Sequence, residues 1–156
     1  MTSDELRLSV QPVVQSLLKS CPDHELPAFV LDALPTVLAV SPFIQSAFLR
    51  DSRLFADLVR SGDLLVSYPA KGLSDRLSRY LESVTDEKAL GRCLRKFRRR
   101  EMVRIAWRDL VGQATTEETL NDLSELADVC VEQALQWHEA RLVERYGVPR
   151  DAKGER

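Results

Sequence analysis

Apolar residues recur three and four positions apart along most of the chain, which is the spacing of one face of an α-helix. The first such pattern predicts a helix over 4–19, which Pro12 should kink or restart because proline lacks the N–H that a helix interior needs. A second run over 27–40 is apolar on nearly every side, and Pro35 is expected to divide it. The N-terminal third is therefore predicted as short helices interrupted at prolines.

Local capping residues mark the short helices in the middle of the chain. Ser41 followed by Pro42 predicts a helix that starts with a serine N-cap and a proline in its first turn. Gly62 predicts the end of the next helix, because glycine readily takes the left-handed conformation that ends helices. The predicted order is a helix over 42–49, a helix over 52–60, a loop over 64–73 and a helix near 74–84.

Two long helices are predicted in the C-terminal half. The first covers about 86–111 with Thr85 as its N-cap, and the second covers 116–146. Thr115 and Glu118 have the spacing of a capping box, in which each side chain bonds the other residue's backbone N–H. Because few residues join the two helices, they should lie antiparallel as neighbours. The predicted fold class is all-α: a helical bundle with short N-terminal helices and two long antiparallel C-terminal helices.

The composition fits one helical domain over 1–149. The 156 residues are 44% hydrophobic and 29% charged, which argues against extended disorder. Residues 150–156 are polar and are expected to be a truncated linker. The net charge is −2, the N-terminus lacks a signal-peptide pattern, and no stretch approaches the ~20 apolar residues of a membrane span. We expect a cytoplasmic protein without a membrane partner, and reduced thiols at Cys21, Cys93 and Cys130, whose spacing suits no metal site.

The densest basic stretch lies on the first long helix and consists of Arg92, Arg95, Lys96, Arg98, Arg99, Arg100, Arg104 and Arg108. Successive helical residues point about 100° apart, so Arg98, Arg99 and Arg100 cannot form one patch. The second long helix has an acidic side made of Glu118, Asp122, Glu125, Asp128, Glu132 and Glu139. We therefore expect exposed ion pairs between the solvated flanks of the two helices. Nucleic-acid binding is not expected, because the net charge of the chain is negative.

A charged ridge is predicted in the second half of the same helix. The apolar stripe that begins at Leu90 continues beyond Phe97 as Glu101, Arg104 and Arg108. Apolar residues cover nearly every other direction of this half, so it should be buried. Charges in such surroundings must pair or contact a partner. Either Glu101 pairs with one of the two arginines, or the ridge contacts a neighbouring domain.

The sequence carries no recognisable catalytic, phosphate-binding or metal-binding motif. His138 shares an apolar side of the last helix with Leu120, Val131 and Leu142, and we expect it to be a core histidine. His24 falls in a predicted turn. We predict no catalytic, cofactor-binding or metal-binding residue in this chain. The candidate structural or interdomain contacts are Arg98, Arg99, Arg100, Glu101, Arg104, Trp107 and Arg108.

One stretch resembles a known family. Residues 97–110 read Phe-Arg-Arg-Arg-Glu-Met-Val-Arg-Ile-Ala-Trp-Arg-Asp-Leu. Three further pieces agree in order: Ser-Pro-Phe-Ile at 41–44, Leu-Ser-Glu-Leu-Ala-Asp at 123–128 and Tyr-Gly-Val-Pro-Arg at 146–150. Together they resemble the N-terminal helical segment, in the adenylyl-removing half, of the bifunctional glutamine synthetase adenylyltransferase/adenylyl-removing enzymes. The resemblance covers most of the chain, and the arginine-rich run is its most specific part.

The resemblance implies a parent enzyme that controls glutamine synthetase in nitrogen assimilation by reversible adenylylation of a tyrosine. Its N-terminal half would remove AMP by phosphorolysis, and a second nucleotidyltransferase half would add AMP from ATP. The acidic metal ligands of that family lie downstream of the matching region, and no position here corresponds to them. This chain alone is therefore expected to be inactive.

The same resemblance implies Mg²⁺ and ATP or phosphate for the full-length enzyme, and no cofactor for this chain. It implies as partners the missing downstream catalytic domain and, through the full-length enzyme, glutamine synthetase and a PII signalling protein. The alternative hypothesis is a stand-alone helical protein-interaction module.

Overall fold

A computed structural model describes residues 3–21 and 26–149, and this part of the chain is all-α, as predicted. Its helices in chain order are α1 (Ser3–Ser9), α2 (Gln11–Lys19), α3 (Ala28–Val40), α4 (Pro42–Arg50), α5 (Ser52–Ser61), α6 (Gly72–Leu81), α7 (Glu87–Leu110) and α8 (Thr116–Tyr146). The predicted turn around His24 and the predicted linker over 150–156 lie outside the described residues.

The prolines of the N-terminal third have different effects. Pro12 lies in the first turn of α2, and Val10 forms the break between α1 and α2, so the predicted restart is confirmed. Pro35, in contrast, lies inside an unbroken α3, and the prediction that it divides this helix is wrong. Helix α3 buries Val30, Leu34 and two further residues almost completely in the core. That burial outweighs the ~3 kcal/mol that an internal proline costs.

The chain turns sharply between α3 and α4. Ser41 has extended backbone angles, and its hydroxyl accepts a hydrogen bond from the Ile44 amide, so the predicted N-cap is confirmed. The two helices meet at 108°. No single helix among the described residues is long and apolar enough to cross a membrane. The α3–α4 pair has the length and apolar composition of a membrane span only when both helices are counted together. The pair buries apolar side chains such as Leu34 and Phe48 in the protein core and leaves others, such as Leu31 and Leu49, exposed.

The loop between α5 and α6 brings an aromatic ring next to α7. Gly62 ends α5 with a positive φ of 73°, which confirms its predicted role. Gly72 starts α6 in a crowded place, because a Cβ atom there would approach the Cβ of Tyr68 to 2.9 Å. The small residue therefore lets Tyr68 pack close to the start of α6.

The two long helices are antiparallel neighbours, as predicted. At one end of the pair the Arg108 guanidinium contacts Glu118, and at the other Nη2 of Arg141 donates to the Thr85 carbonyl at 2.6 Å. The N-cap of α7 is Asp86, whose carboxylate accepts from the Ala89 amide at 2.8 Å, so the prediction of Thr85 as the cap is wrong. Asp86 directly precedes the first helical turn. Its carboxylate accepts the same kind of backbone hydrogen bond that the Thr85 hydroxyl would accept if the helix began one residue earlier.

Only half of the predicted capping box of α8 forms. The Thr115 hydroxyl accepts from the Glu118 amide at 3.1 Å, as expected. The Glu118 carboxylate instead contacts Arg108, at 2.6 Å. The charge of α7 has drawn this side chain away from the helix terminus, because a charge-assisted bond is stronger than a bond to a neutral amide.

Helix α7 lies between two apolar clusters. The first is formed by α2 to α5 together with Val103 and Trp107 of α7. The second is formed by α6 and α8 together with Phe97 and Ile105 of α7. A helix that contributes to two cores must be buried on several sides, so its polar residues have little access to water.

We predict that Asp86, and not Thr85, stabilises the start of α7. Replacing Asp86 by Ala should lower the free energy of unfolding by ~1 kcal/mol, because the Ala89 amide loses its acceptor. Thr85→Ala is the matched control and should change it by less than about 0.5 kcal/mol, since Thr85 is exposed. Urea unfolding followed by circular dichroism measures both values. Equal losses in the two variants would contradict the assignment.

Candidate functional site

The most unusual feature of the described structure is a row of buried charges on α7. Arg100, Glu101, Arg104 and Arg108 are 5%, 0%, 0% and 3% exposed. The prediction that this half of the helix is buried on most sides is confirmed. Desolvating a charged group costs several kcal/mol, so each of these side chains needs partners of opposite charge.

Glu101 is the centre of the row. Its two carboxylate oxygens accept separate hydrogen bonds, one from Nη1 of Arg100 at 2.7 Å and one from Nε of Arg104 at 2.8 Å. The predicted pairing of Glu101 with an arginine of the ridge is therefore confirmed for Arg104. Arg108 pairs elsewhere, with Glu118 at 2.6 Å and with the Gln113 carbonyl at 3.0 Å.

Arg100 connects the row to α5 and to the loop that follows it. Its Nε donates to Asp57 at 2.7 Å, and its Nη2 donates to Asp63 at 2.6 Å. Asp63 is 1% exposed and also receives two hydrogen bonds from Arg76 of α6, at 2.7 and 3.1 Å. Sequence reasoning missed both aspartates, because nothing in the local pattern of a turn residue after Gly62 indicates that it will be buried.

Arg104 connects the row to α8. Its Nη2 donates to the Asp122 carboxylate at 2.6 Å, and both side chains are largely shielded from water. Together with Arg108 and Glu118 this confirms that arginines of α7 pair with the acidic side of α8. The pairs lie in the interior, however, and the prediction that they lie on solvated flanks is wrong for them. We call these ion pairs the α7 ion-pair network. Its connected part is made of Asp57, Asp63, Arg76, Arg100, Glu101, Arg104 and Asp122, and the separate pair of Arg108 with Glu118 is counted with it.

Tyr68 covers the network on one side. The guanidinium carbons of Arg76 and Arg104 lie 4.1 and 3.9 Å from the centroid of its ring, at distances typical of cation–π contacts. Burial raises the pKa of the Tyr68 hydroxyl, and the nearby charge of Glu101 raises it further. The hydroxyl therefore stays protonated, and the neutral ring covers the guanidinium groups of Arg76 and Arg104 and shields them from water.

Asp63 stays charged over the ordinary pH range. Burial by itself would raise the pKa of Asp63, but hydrogen bonds from Arg100 and Ser61 and the charges of Arg100 and Arg76 outweigh it, so this pKa is lowered. A carboxyl with a lowered pKa stabilises the fold above its unfolded pKa. That contribution is lost only as the pH falls through the folded pKa. Protonation of Asp63 therefore weakens the fold only in strong acid.

The structure separates the remaining predicted contacts from the network. Arg98 and Arg99 are exposed while Arg100 is buried, as the 100° rotation per residue predicted. Trp107 is fully buried within the first apolar cluster. Of the predicted candidates, Arg100, Glu101 and Arg104 meet in one connected set, with Arg108 pairing one turn further along the helix.

The arrangement joins helices. Each carboxylate of the network faces at least one guanidinium at 2.8 Å or less, which satisfies its charge within the protein. In the described part of the chain, no group of three or more His, Cys, Asp or Glu residues has the arrangement of a metal site. The network links α5, α6, α7 and α8 in one set of contacts.

Helix α8 carries a second notable surface. It buries Leu126 and Val129 toward α6 and α7. The opposite side forms an exposed apolar row, the α8 outer stripe, made of Leu120, Val131, Leu135, Leu142 and Tyr146, which are 56% to 71% exposed. His138 lies on this side and is exposed, so the prediction of a core histidine is wrong. The side of α8 that turns inward is the one that brings Asp122 to Arg104.

The described residues define an all-α protein whose helices are joined around a buried arginine–carboxylate network. Comparison with known proteins gives the family. A model of the glutamate-ammonia ligase adenylyltransferase family matches residues 31–156, and the chain belongs to this family. No solved structure matches it.

Curated relatives agree with this assignment. The bifunctional glutamine synthetase adenylyltransferase/adenylyl-removing enzyme of Thioalkalivibrio sulfidiphilus is 44% identical over 123 residues, which cover 79% of this chain and 13% of the relative. The enzyme of the same name from Pseudomonas aeruginosa is 40% identical over 119 residues, covering 76% and 12%. That of Shewanella loihica is 30% identical over 142 residues, covering 90% and 15%. The chain thus spans about an eighth of the length of the relatives that it matches.

We predict that Glu101 is essential for the stability of the fold. Replacing it by Gln keeps the shape but removes the charge between Arg100 and Arg104, and should cost ~3–5 kcal/mol of unfolding free energy. Asp109→Asn is a matched control on the same helix. Asp109 is exposed and its contact with the Thr119 hydroxyl survives as an amide, so under ~1 kcal/mol should be lost.

Chemical denaturation at neutral pH, followed by circular dichroism, compares the two variants. A Glu101→Gln cost as small as that of Asp109→Asn would show that the buried arginines do not need this carboxylate.

Proposed function

We propose that this chain is a helical scaffold of a glutamine synthetase adenylyltransferase/adenylyl-removing enzyme, in its adenylyl-removing half, and that the catalytic domain of the enzyme packs on α8. The family assignment and the names of the curated relatives support the first part. The α8 outer stripe supports the second and is the observation that carries the proposal.

The stripe has the dimensions of a domain contact. From Leu120 to Tyr146 it extends roughly 39 Å along the helix, at 1.5 Å per residue. Val129 and Val131, two positions apart, point about 160° away from each other, and the first is buried while the second is 70% exposed. A helix that is apolar on opposite sides is typical of a position between two packed layers. In the described part of this chain only one of those layers is present.

The family relation indicates what the second layer is. The relatives are much longer than the matched segment, which accounts for 13% of the Thioalkalivibrio enzyme. An exposed apolar row of this length is costly in water and marks an interaction site on ordinary proteins. The remainder of the parent enzyme is the partner with the highest effective concentration, because it would belong to the same polypeptide.

In this proposal the α7 ion-pair network serves the stripe. Asp122 and Glu118 hold α8 through Arg104 and Arg108, which fixes the rotation of α8 about its axis. A fixed rotation keeps the apolar row pointing outward. The scaffold itself would perform no chemistry. Adenylyl removal by phosphorolysis, with Mg²⁺ and phosphate, would belong to the catalytic domain. The full-length enzyme would act in the cytoplasm on glutamine synthetase under control of a PII signalling protein.

We predict that the chain binds the remainder of a parent enzyme through the α8 outer stripe. The Thioalkalivibrio enzyme without its matched segment is the test partner, and isothermal titration calorimetry is the measurement. Val131→Glu should weaken binding at least about tenfold, because docking would bury an unpaired carboxylate. Ala140→Glu adds the same charge at an exposed position on the side of α8 away from the stripe, and should change the affinity less than about twofold.

The possible results separate the hypotheses. A folded chain that does not bind the truncated enzyme, or a Val131→Glu variant that binds it as well as the wild type, contradicts docking through this stripe. A chain that self-associates in sedimentation experiments, and becomes monomeric on Val131→Glu, supports the alternative of a stand-alone interaction module. Circular dichroism controls for folding, which neither substitution should disturb since both positions are exposed.

A further inference from the structure

A cleft with positively charged walls lies between α5 and α7, away from the α8 outer stripe. It has a volume of about 580 Å³, which is within the range of small-molecule sites. Helix α5 contributes Arg53 and Arg60 to its walls, and α7 contributes Lys96 and Arg99. Tyr80, at the end of α6, forms part of the wall as well.

The charge of the cleft differs from that of the chain. The chain carries a net charge of −2, whereas Arg53, Lys96 and Arg99 line one cleft together with Arg60, the paired Arg100 and only two carboxylates. Both carboxylates already have partners. Asp51 accepts the Arg53 amide as the N-cap of α5, and Asp57 accepts a hydrogen bond from the buried Arg100 at 2.7 Å.

The cleft is built on rigid parts of the fold. Arg100 lines the cleft with a side chain that is only 6% exposed. It is held by Asp63 and Glu101 in addition to Asp57. The Tyr80 ring packs edge-on against the buried Phe97, with the ring centroids 5.4 Å apart. The backbones that carry the cationic side chains are therefore fixed on two packed helices. Bringing like charges together on such backbones is unfavourable unless an anion shares the space.

We propose that this cleft binds a phosphate-bearing small molecule through Arg53, Lys96 and Arg99. Guanidinium groups suit a phosphate because their planar N–H pairs match two of its oxygens, and a lysine adds a compact charge. The concave shape and limited volume fit a small ligand. The bound phosphate group would come from inorganic phosphate, from pyrophosphate or from a nucleotide. This site is independent of the scaffold role, because its residues lie on α5 and α7 and not on α8.

The test uses the full 156-residue chain and titrates it with phosphate, pyrophosphate, ADP and ATP while recording amide chemical shifts by NMR. We expect saturable shifts in α5 and around Lys96–Arg99, with affinity rising from phosphate to pyrophosphate. Arg99→Glu should weaken pyrophosphate binding at least about tenfold. Arg98→Glu is the matched control: it is exposed, adjacent and equally charged but does not line the cleft, so it should weaken binding less than about threefold.

The arms of the experiment identify the source of the phosphate. If ADP binds more tightly than pyrophosphate, the ligand is a nucleotide whose nucleoside part also contacts the cleft; equal affinities indicate the phosphate chain alone. Equal losses in Arg98→Glu and Arg99→Glu would overturn the proposal, since they would show general charge attraction. The absence of saturation by any of these anions would overturn it too. A short polyglutamate peptide that binds where the phosphates do not would assign the cleft to an acidic protein segment and refute a phosphate ligand.

Discussion

The fold depends on one requirement: every charge that α7 brings into the interior must find a partner there. Glu101 is completely buried between Arg100 and Arg104. Coulomb attraction inside a protein roughly offsets the loss of hydration for a well-made pair, so such pairs add little net stability. Removing one partner is different, because the remaining charge stays desolvated and alone. The network therefore selects one arrangement of helices over others more than it strengthens any of them. Apolar packing of two clusters around the same helix supplies most of the stabilising free energy.

This requirement decides how α8 is oriented. Its apolar residues are distributed around nearly the whole helix, so hydrophobic burial alone would allow several rotations. Arg104 and Arg108 both need carboxylates, and Asp122 and Glu118 are close enough only when their side of α8 faces α7. The apolar residues on the far side, such as Val131, are then left in water. The buried ion pairs and the exposed apolar row are thus two results of the same orientation of α8.

The network also organises the other face of α7. Arg100 reaches across to Asp57 and Asp63, which ties α5 and its following loop to the central helix. That contact forms the base of the basic cleft and neutralises Asp57, one of its two carboxylates. One buried row of charges therefore supports the apolar row that we propose as a docking surface on α8 and the cleft that we propose as an anion site between α5 and α7.

Local sequence by itself determined the helices and most of their ends. Caps and breaks such as Ser41, Gly62 and Pro12 act within a few residues, and their effects need no distant partner. Periodicity also revealed that the second half of α7 is buried and charged. Tertiary structure alone decided that Pro35 stays inside a helix and that His138 faces water, because both outcomes depend on which neighbours pack where. The same holds for the partners of Arg100, which lie 37 and 43 residues away in the chain. No local pattern encodes a contact of that kind, because two segments distant in sequence must first be brought together by the packing of the cores.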